Sequence, residues 1–114
     1  MESNFKLTSV LKGDILIITT EGYVNNQGGE MILTTFNDYF QKGVKKVVIN
    51  FKRSNLVNSI GISFLIEIIE QLNHVQGKLI FTDLEPAIEK TLTIMGLFNF
   101  AGQAATVKSA LHNF

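Results

Sequence analysis

Apolar positions change period along this chain, and the changes mark strands off from helices. Phe5 and Leu7 alternate with Lys6 and Thr8, which predicts a first strand over Phe5 to Leu11. Lys12-Gly13-Asp14 is turn chemistry. The β-rich run Ile15 to Thr20 predicts a second strand, hairpinned to the first. Glu21 to Gly29, with Gly22, Asn25, Asn26, Gln27, Gly28 and Gly29, reads as loop. Over Glu30 to Lys42 the residues Ile32, Leu33, Phe36, Tyr39 and Phe40 gather on one helical face, and Gly43 ends that helix. Lys45 to Phe51 has an unbroken apolar centre, Val47-Val48-Ile49, as a strand covered on both faces requires.

The stretch Ser54 to Phe64 then joins this strand to the most strongly patterned helix, which runs towards Gly77. Asn58 and Ser59 are both residues whose side-chain oxygens cap first-turn amides. At about 100° per residue, Ile62, Leu65, Ile66, Ile69 and Leu72 form the core stripe, with Ser63, Glu67, Glu70, Gln71 and His74 opposite. Ile60 falls near the polar side, and Phe64 and Ile68 fall between the two. That apolar edge is either a docking surface or the contact for a neighbouring helix of the same chain. Lys78 to Thr82 is another buried-type strand. Pro86 suits the first turn of a helix over Ala87 to Met95, closed by Gly96. Leu97 to Ala101 is a short final strand, and Thr106 caps a last helix, Val107 to Leu111. Strands alternating with helices predict an α/β layer fold with right-handed crossovers, and 114 residues suit one domain spanning 1–114.

Composition narrows the function by exclusion. Ten Lys and Arg balance ten Asp and Glu, so no net charge draws the chain to nucleic acid, and no basic run suits an anionic membrane surface. The chain has no cysteine, which removes disulfides, thiol nucleophiles and thiolate metal sites. Its apolar runs are too short to insert across a bilayer. Met1-Glu2-Ser3-Asn4 lacks the basic-then-apolar order of a signal peptide, so a cytoplasmic location is expected. His74 and His112 stand apart from any ligand-spaced partner, and Glu67 and Glu70 share a face with no nucleophile. No G-x-x-x-x-G-K-[ST], G-x-G-x-x-G or G-x-S-x-G motif occurs. A non-enzymatic protein without metal or cofactor is expected. Gly28-Gly29 is either a turn or a phosphate contact, and Ser59 either a cap or a modification site.

The element order and several local motifs resemble the STAS domain of bacterial anti-sigma factor antagonists over essentially the whole chain. Glu21-Gly22-Tyr23-Val24-Asn25 stands where the family has a glycine-containing loop after the second strand, and Asn50-Phe51-Lys52-Arg53-Ser54 is a lengthened form of its Asp-Leu-Ser strand end. Asn58-Ser59-Ile60-Gly61-Ile62-Ser63 matches the Asp-Ser-Ser-Gly-Leu-Gly signature that opens a helix. Leu92-Thr93-Ile94-Met95-Gly96-Leu97 matches the late Leu-x-x-x-Gly-Leu motif, and Ala105 to Leu111 the C-terminal helix.

The resemblance implies a STAS-like α/β fold, a four- to five-stranded mixed sheet with about four helices. It implies a partner that is an anti-sigma factor or serine kinase-like protein, and phosphorylation of the Ser or Thr before the signature glycine. Here that place holds Ile60, Asn58 replaces the aspartate, and Ser59 comes one residue too early. The expected partner-binding set is Asn25, Asn26, Ser54, Asn58, Ser59, Ile60, Gly61, Ser63 and Phe64, with Ser59 the candidate phosphorylation site. A weak homodimer is also expected. The resemblance leaves two other functions open. One is a nucleotide- or anion-binding module using Gly28-Gly29 and Asn58-Ser59, and the other is a soluble subunit of a membrane transport assembly.

Overall fold

Two faces of one sheet have to be covered if runs such as Val47-Val48-Ile49 are to leave water, and the architecture does this. The computed structural model describes residues 4–114. Strands β1 (Lys6–Lys12), β2 (Ile15–Glu21), β3 (Lys46–Arg53), β4 (Lys78–Thr82) and β5 (Gly102–Ala104) lie in that order. β1 is antiparallel to β2, and the remaining neighbours are parallel. The helices are α1 (Asn26–Phe40), α2 (Ser59–Asn73), α3 (Pro86–Ile94) and α4 (Val107–Leu111), with a 3-10 turn at Leu97–Asn99. The result is the expected mixed five-stranded sheet with four helices.

Side chains alternate across the pleat. Leu16, Ile18, Val47, Ile49, Leu79 and Phe81 share a core with Ile32 and Phe36 of α1, Ile62, Leu65 and Leu72 of α2, and Ile88 and Leu92 of α3. Ile17, Val48 and Ile80 face the other way and are covered by Ala110 of α4. The register pairs Ile17 with Val48 and Val48 with Ile80. Phe51 and Phe98 meet the Phe81 ring edge-on, at centroid distances of 5.9 and 6.2 Å.

Two segments differ from expectation. Helix α1 begins at Asn26, so Gly28 and Gly29 lie inside its first turns and are buried. Glycine costs about 1 kcal/mol in a helix relative to alanine, but here it admits close neighbours. A Cβ on Gly28 would lie 2.9 Å from the Phe5 ring, and one on Gly29 would lie 2.6 Å from the Phe64 ring. The last strand is Gly102–Ala104 rather than Leu97 to Ala101. Gly96 turns left-handed at φ +83°, and Leu97 is then buried in the helix-side core with Phe98 packed against it. Those side chains are spent on the core, so pairing with β4 waits until Gly102 meets Ile80. Elsewhere β4 matches the expected span, and α4 starts under its Thr106 cap, with Ser109 N–H donating to Oγ1 at 3.1 Å.

Candidate functional site

The C-terminal ends of β2 and β3 lie side by side, and the loops leaving them stay stitched together. The buried hydroxyls of Thr20 and Ser54 are 2.8 Å apart. Gly22 N–H donates to Arg53 O at 3.0 Å, Val24 N–H to Leu56 O at 3.0 Å, and Asn58 N–H to Val24 O at 3.1 Å. Val24 and Val57 form a parallel bridge beyond the named strands. Each loop then starts its helix by the same device. Asn25 Oδ1 accepts from Gly28 N–H at 3.0 Å, and Asn58 Oδ1 accepts from Gly61 N–H at 2.7 Å. The two helix starts are therefore copies of one pattern, Val24-Asn25-x-x-Gly28 beside Val57-Asn58-x-x-Gly61. This short repeat is visible in the sequence and was not among the expected motifs.

Glycine lets the two starts approach. A Cβ on Gly61 would run into the carbonyl oxygen of Val24, and one on Gly29 would lie 3.1 Å from Gly61 Cα. Phe64 is half-buried with its ring against Gly29, and Ile68 is fully buried. Most of the apolar edge of α2 is thus covered within the chain. Ile60 is the exception, 51% exposed at the helix tip, with Leu56 in the preceding loop 56% exposed. Around them Asn26, Ser59 and Ser63 are exposed, while Asn25 and Asn58 are half-buried. The tip is polar and apolar together, and α1 and α2 carry Glu30, Asp38, Glu67 and Glu70 with no Lys or Arg.

Several expected site residues have other jobs. Ser54 is 1% exposed and its hydroxyl is held by Thr20, so it supports the loop and is out of a partner's reach. Gly61 is buried and sets the spacing of the helices. Of the two cap candidates, Asn58 does the capping. Ser59 follows as the first helical residue, and its hydroxyl makes no hydrogen bond among the described residues. Ser63 Oγ donates back to Ile60 O. An anion cradle at Gly28-Gly29 is overturned as well, because Gly28 N–H is taken by Asn25 Oδ1 and Gly29 N–H donates to Asn25 O at 2.8 Å.

Among the described residues no group of three or more His, Cys, Asp or Glu is placed to hold a metal ion, and no helix is long and apolar enough to cross a membrane. Asp14, in the β1–β2 turn at the far end of the sheet, has its carboxyl held below the usual range by a hydrogen bond from Lys46 and that residue's charge. The caps can be tested directly. Asn58→Ala is expected to lower the unfolding free energy by about 1 kcal/mol, whereas Ser59→Ala changes it by less than about 0.5 kcal/mol. Urea titrations of the two variants distinguish the capping residue from its neighbour.

The STAS domain family model matches residues 6–111. BtrV of Bordetella bronchiseptica, a protein named as an anti-sigma factor antagonist, is 27% identical over 109 residues, covering 96% of this chain and 94% of BtrV. SpoIIAA of Bacillus in its phosphorylated form superposes with a TM-score of 0.74 at 23% identity, covering 96% of this chain and 97% of that one. A variant of RsbS from Moorella thermoacetica gives a TM-score of 0.81 at 20% identity, covering 95% and 93%. At these identities the two structural likenesses establish the shared fold.

Proposed function

This chain belongs to the STAS domain family, and from that premise we propose that it is a non-catalytic regulator, an anti-sigma factor antagonist that binds an anti-sigma factor or serine kinase-like protein in a partner-switching pathway. The observation that carries this reading is Ile60. It stays half-exposed at the tip of α2 while, on the same edge, Phe64 lies against Gly29 of α1 and Ile68 is buried in the core. An apolar side chain on a rigid, capped helix start is an anchor for a recess in another protein. The Asn25–Asn26 loop flanks it, held to the Ile60 loop by the Val24–Val57 bridge. Isoleucine accepts no phosphate, so the tip stays competent for binding where a serine would be switched off. Such a partner would place the protein in the cytoplasm.

The test is co-purification from the native host followed by quantitative mass spectrometry, with the wild type set against Ile60→Glu. An anti-sigma factor or kinase-like protein enriched by the wild type and lost from the variant supports the proposal. Undiminished recovery by the variant removes Ile60 from the interface, and absence of any such protein removes the partner class.

A second reading keeps a phosphate switch and moves it to Ser59. It is favoured by the exposed hydroxyl that the Asn58 cap leaves unengaged. Phosphate there would bring nearly two negative charges beside Ile60. Incubation with the co-purifying kinase and ATP should add one phosphate mapped to Ser59. Modification elsewhere, or none, ends this reading.

A further inference from the structure

The end of the sheet away from the Ile60 tip is rich in lysine. Lys12 closes β1, Lys46 opens β3 and Lys78 opens β4. The register sets them in one row, Lys12 opposite Ile15, Ile15 beside Lys46, and Lys46 beside Lys78. Directly paired residues share one face of a sheet. Lys42 and Lys45 join from the turn between α1 and β3, and with Lys46 and Leu11 they line a recess of about 360 Å³. Turns far apart in sequence thus gather five lysines at one end of a chain with no net charge. Asp14 is the one acid in those turns, and it pairs with Lys46 at 3.1 Å. The next acids back, Asp38 and Glu70, lie a turn up α1 and α2.

The fold gains nothing from this arrangement. Like charges directly opposite one another destabilise a sheet, yet Lys46 and Lys78 are direct partners. Lys78 Nζ donates to Asn113 O at 2.6 Å. Lys12 and Lys45 are exposed and make no ion pair among the described residues.

We propose that this end docks the protein on an anionic lipid surface. The lysines lie over the headgroup phosphates, and Leu11, 46% exposed beside them, enters the headgroup boundary. The make-up of the cluster selects this occupant. Protein interfaces favour arginine and are poor in lysine, and the planar guanidinium suits a shaped, bidentate site. Here every cation is a lysine, a point charge on a flexible stem, which suits a diffuse array of phosphates. Duplex nucleic acid also offers phosphates, but no apolar boundary for Leu11. The surface is separate from the proposed anchor. Lys46 and Arg53 are the two ends of β3, about 23 Å apart as extended chain, and the loop to Ile60 leaves from the Arg53 end. A docked molecule therefore holds its tip towards solution.

Co-sedimentation tests the proposal, using vesicles of about 30 mol% phosphatidylserine in phosphatidylcholine at about 0.05 M salt. The expected result is partition onto these vesicles and not onto pure phosphatidylcholine, with loss at about 0.5 M salt. Lys12→Gln and Lys45→Gln should each lower the partition coefficient about 5-fold, and together about 25-fold. Leu11→Ser should lower it about 3-fold. The two lysine variants should melt as the wild type does, because both side chains are exposed and unpaired. Lys52→Gln, near the opposite end of β3, and Ile60→Glu should bind as the wild type does. Absence of binding, equal binding to neutral vesicles, indifference to both lysine variants, or an equal loss with Lys52→Gln or Ile60→Glu each overturns the proposal. So does tighter binding to poly-glutamate, or to a DNA duplex of about 20 base pairs, at the same salt. None of these outcomes touches the anti-sigma reading, which is tested with a protein partner.

Discussion

Replacing Gly61 with alanine will lower the unfolding free energy by about 3 kcal/mol, against the direction that helix propensity dictates. Propensity alone favours alanine over glycine within a helix by about 1 kcal/mol. Packing reverses the sign. The added methyl group would run into the Val24 carbonyl oxygen, lie 2.9 Å from the carbonyl carbon and lie 3.2 Å from Val24 Cγ1. The obstacle is mostly backbone, which no rotamer change can move aside. That carbonyl is itself pinned, because it accepts from Asn58 N–H at 3.1 Å. Relief therefore requires α2 to back away from the β2–α1 loop. That movement strains the Asn58 contact and the Val24–Val57 bridge, adding to the overpacking cost of about 1 to 3 kcal/mol.

A domain of this kind is stable by about 5 to 15 kcal/mol, so the loss is large and should lower the melting temperature by roughly 10 to 20 °C. Gly43→Ala is the control. Gly43 has φ +97° and nothing within 4 Å of an added Cβ, so only backbone strain of about 1 to 2 kcal/mol applies. Urea titration of both variants checks the argument. A Gly61→Ala protein as stable as the wild type would mean that the two helix starts are not held this close.

Replacing Ile60 with glutamate will weaken partner binding more than about 100-fold while leaving the fold intact. The two effects separate because the side chain is half-exposed in the free protein and is enclosed only when a partner closes over it. Losing a buried anchor costs about 2 kcal/mol or more, and a carboxylate carried unpaired into the same recess adds a desolvation penalty of several kcal/mol. In the free chain the same glutamate sits in the first turn of α2, where the helix dipole favours an acid by about 0.3 to 1 kcal/mol. The variant should therefore melt at or slightly above the wild-type temperature. Titration calorimetry with the purified partner reads the binding loss, and a melting curve reads the stability. Binding within about threefold of wild type, on a variant that folds normally, would sink the proposal that Ile60 anchors the complex. Ile60→Ser extends the test, since it puts a hydroxyl in the position directly before Gly61.

The two predictions probe one construction from opposite sides. Gly61 lies beneath the tip and sets how closely α2 approaches the loop from β2. Ile60 lies on top and meets whatever arrives. Between them, Asn58 fixes the direction of the helix, and the Thr20–Ser54 hydroxyl pair holds the loop down. A tip that is rigid before binding loses little entropy when a partner grips it. That is the physical reason for placing the anchor on a doubly capped helix pair.

Local pattern carried most of the architecture. The period-2 and continuous apolar runs marked the strands, and the 3.6-residue stripes marked α1 and α2. Pro86, Gly96 and Thr106 punctuated the ends, because caps and breakers act within a few residues of themselves. The exposure of Ile60 was also legible, since it falls off the core stripe at about 100° per residue.

What the local pattern missed depends on partners distant in the chain. Gly28 and Gly29 look like loop until Phe5 and Phe64 are set against them. Ser54 looks available until Thr20, 34 residues earlier, takes its hydroxyl. Phe64 and Ile68 stay undecided between docking edge and core until Gly29 of α1 meets the Phe64 ring and the core takes in Ile68. Leu97 and Phe98 look like strand until the core claims their side chains. The amino-acid sequence by itself determined the elements, their order and the greasy residue at the tip of α2, because those follow from interactions a few residues apart. Only the tertiary structure decided which residues of that edge remain outside and that two Asn-capped helices stand together there, because both depend on backbones brought into contact from opposite ends of long crossovers.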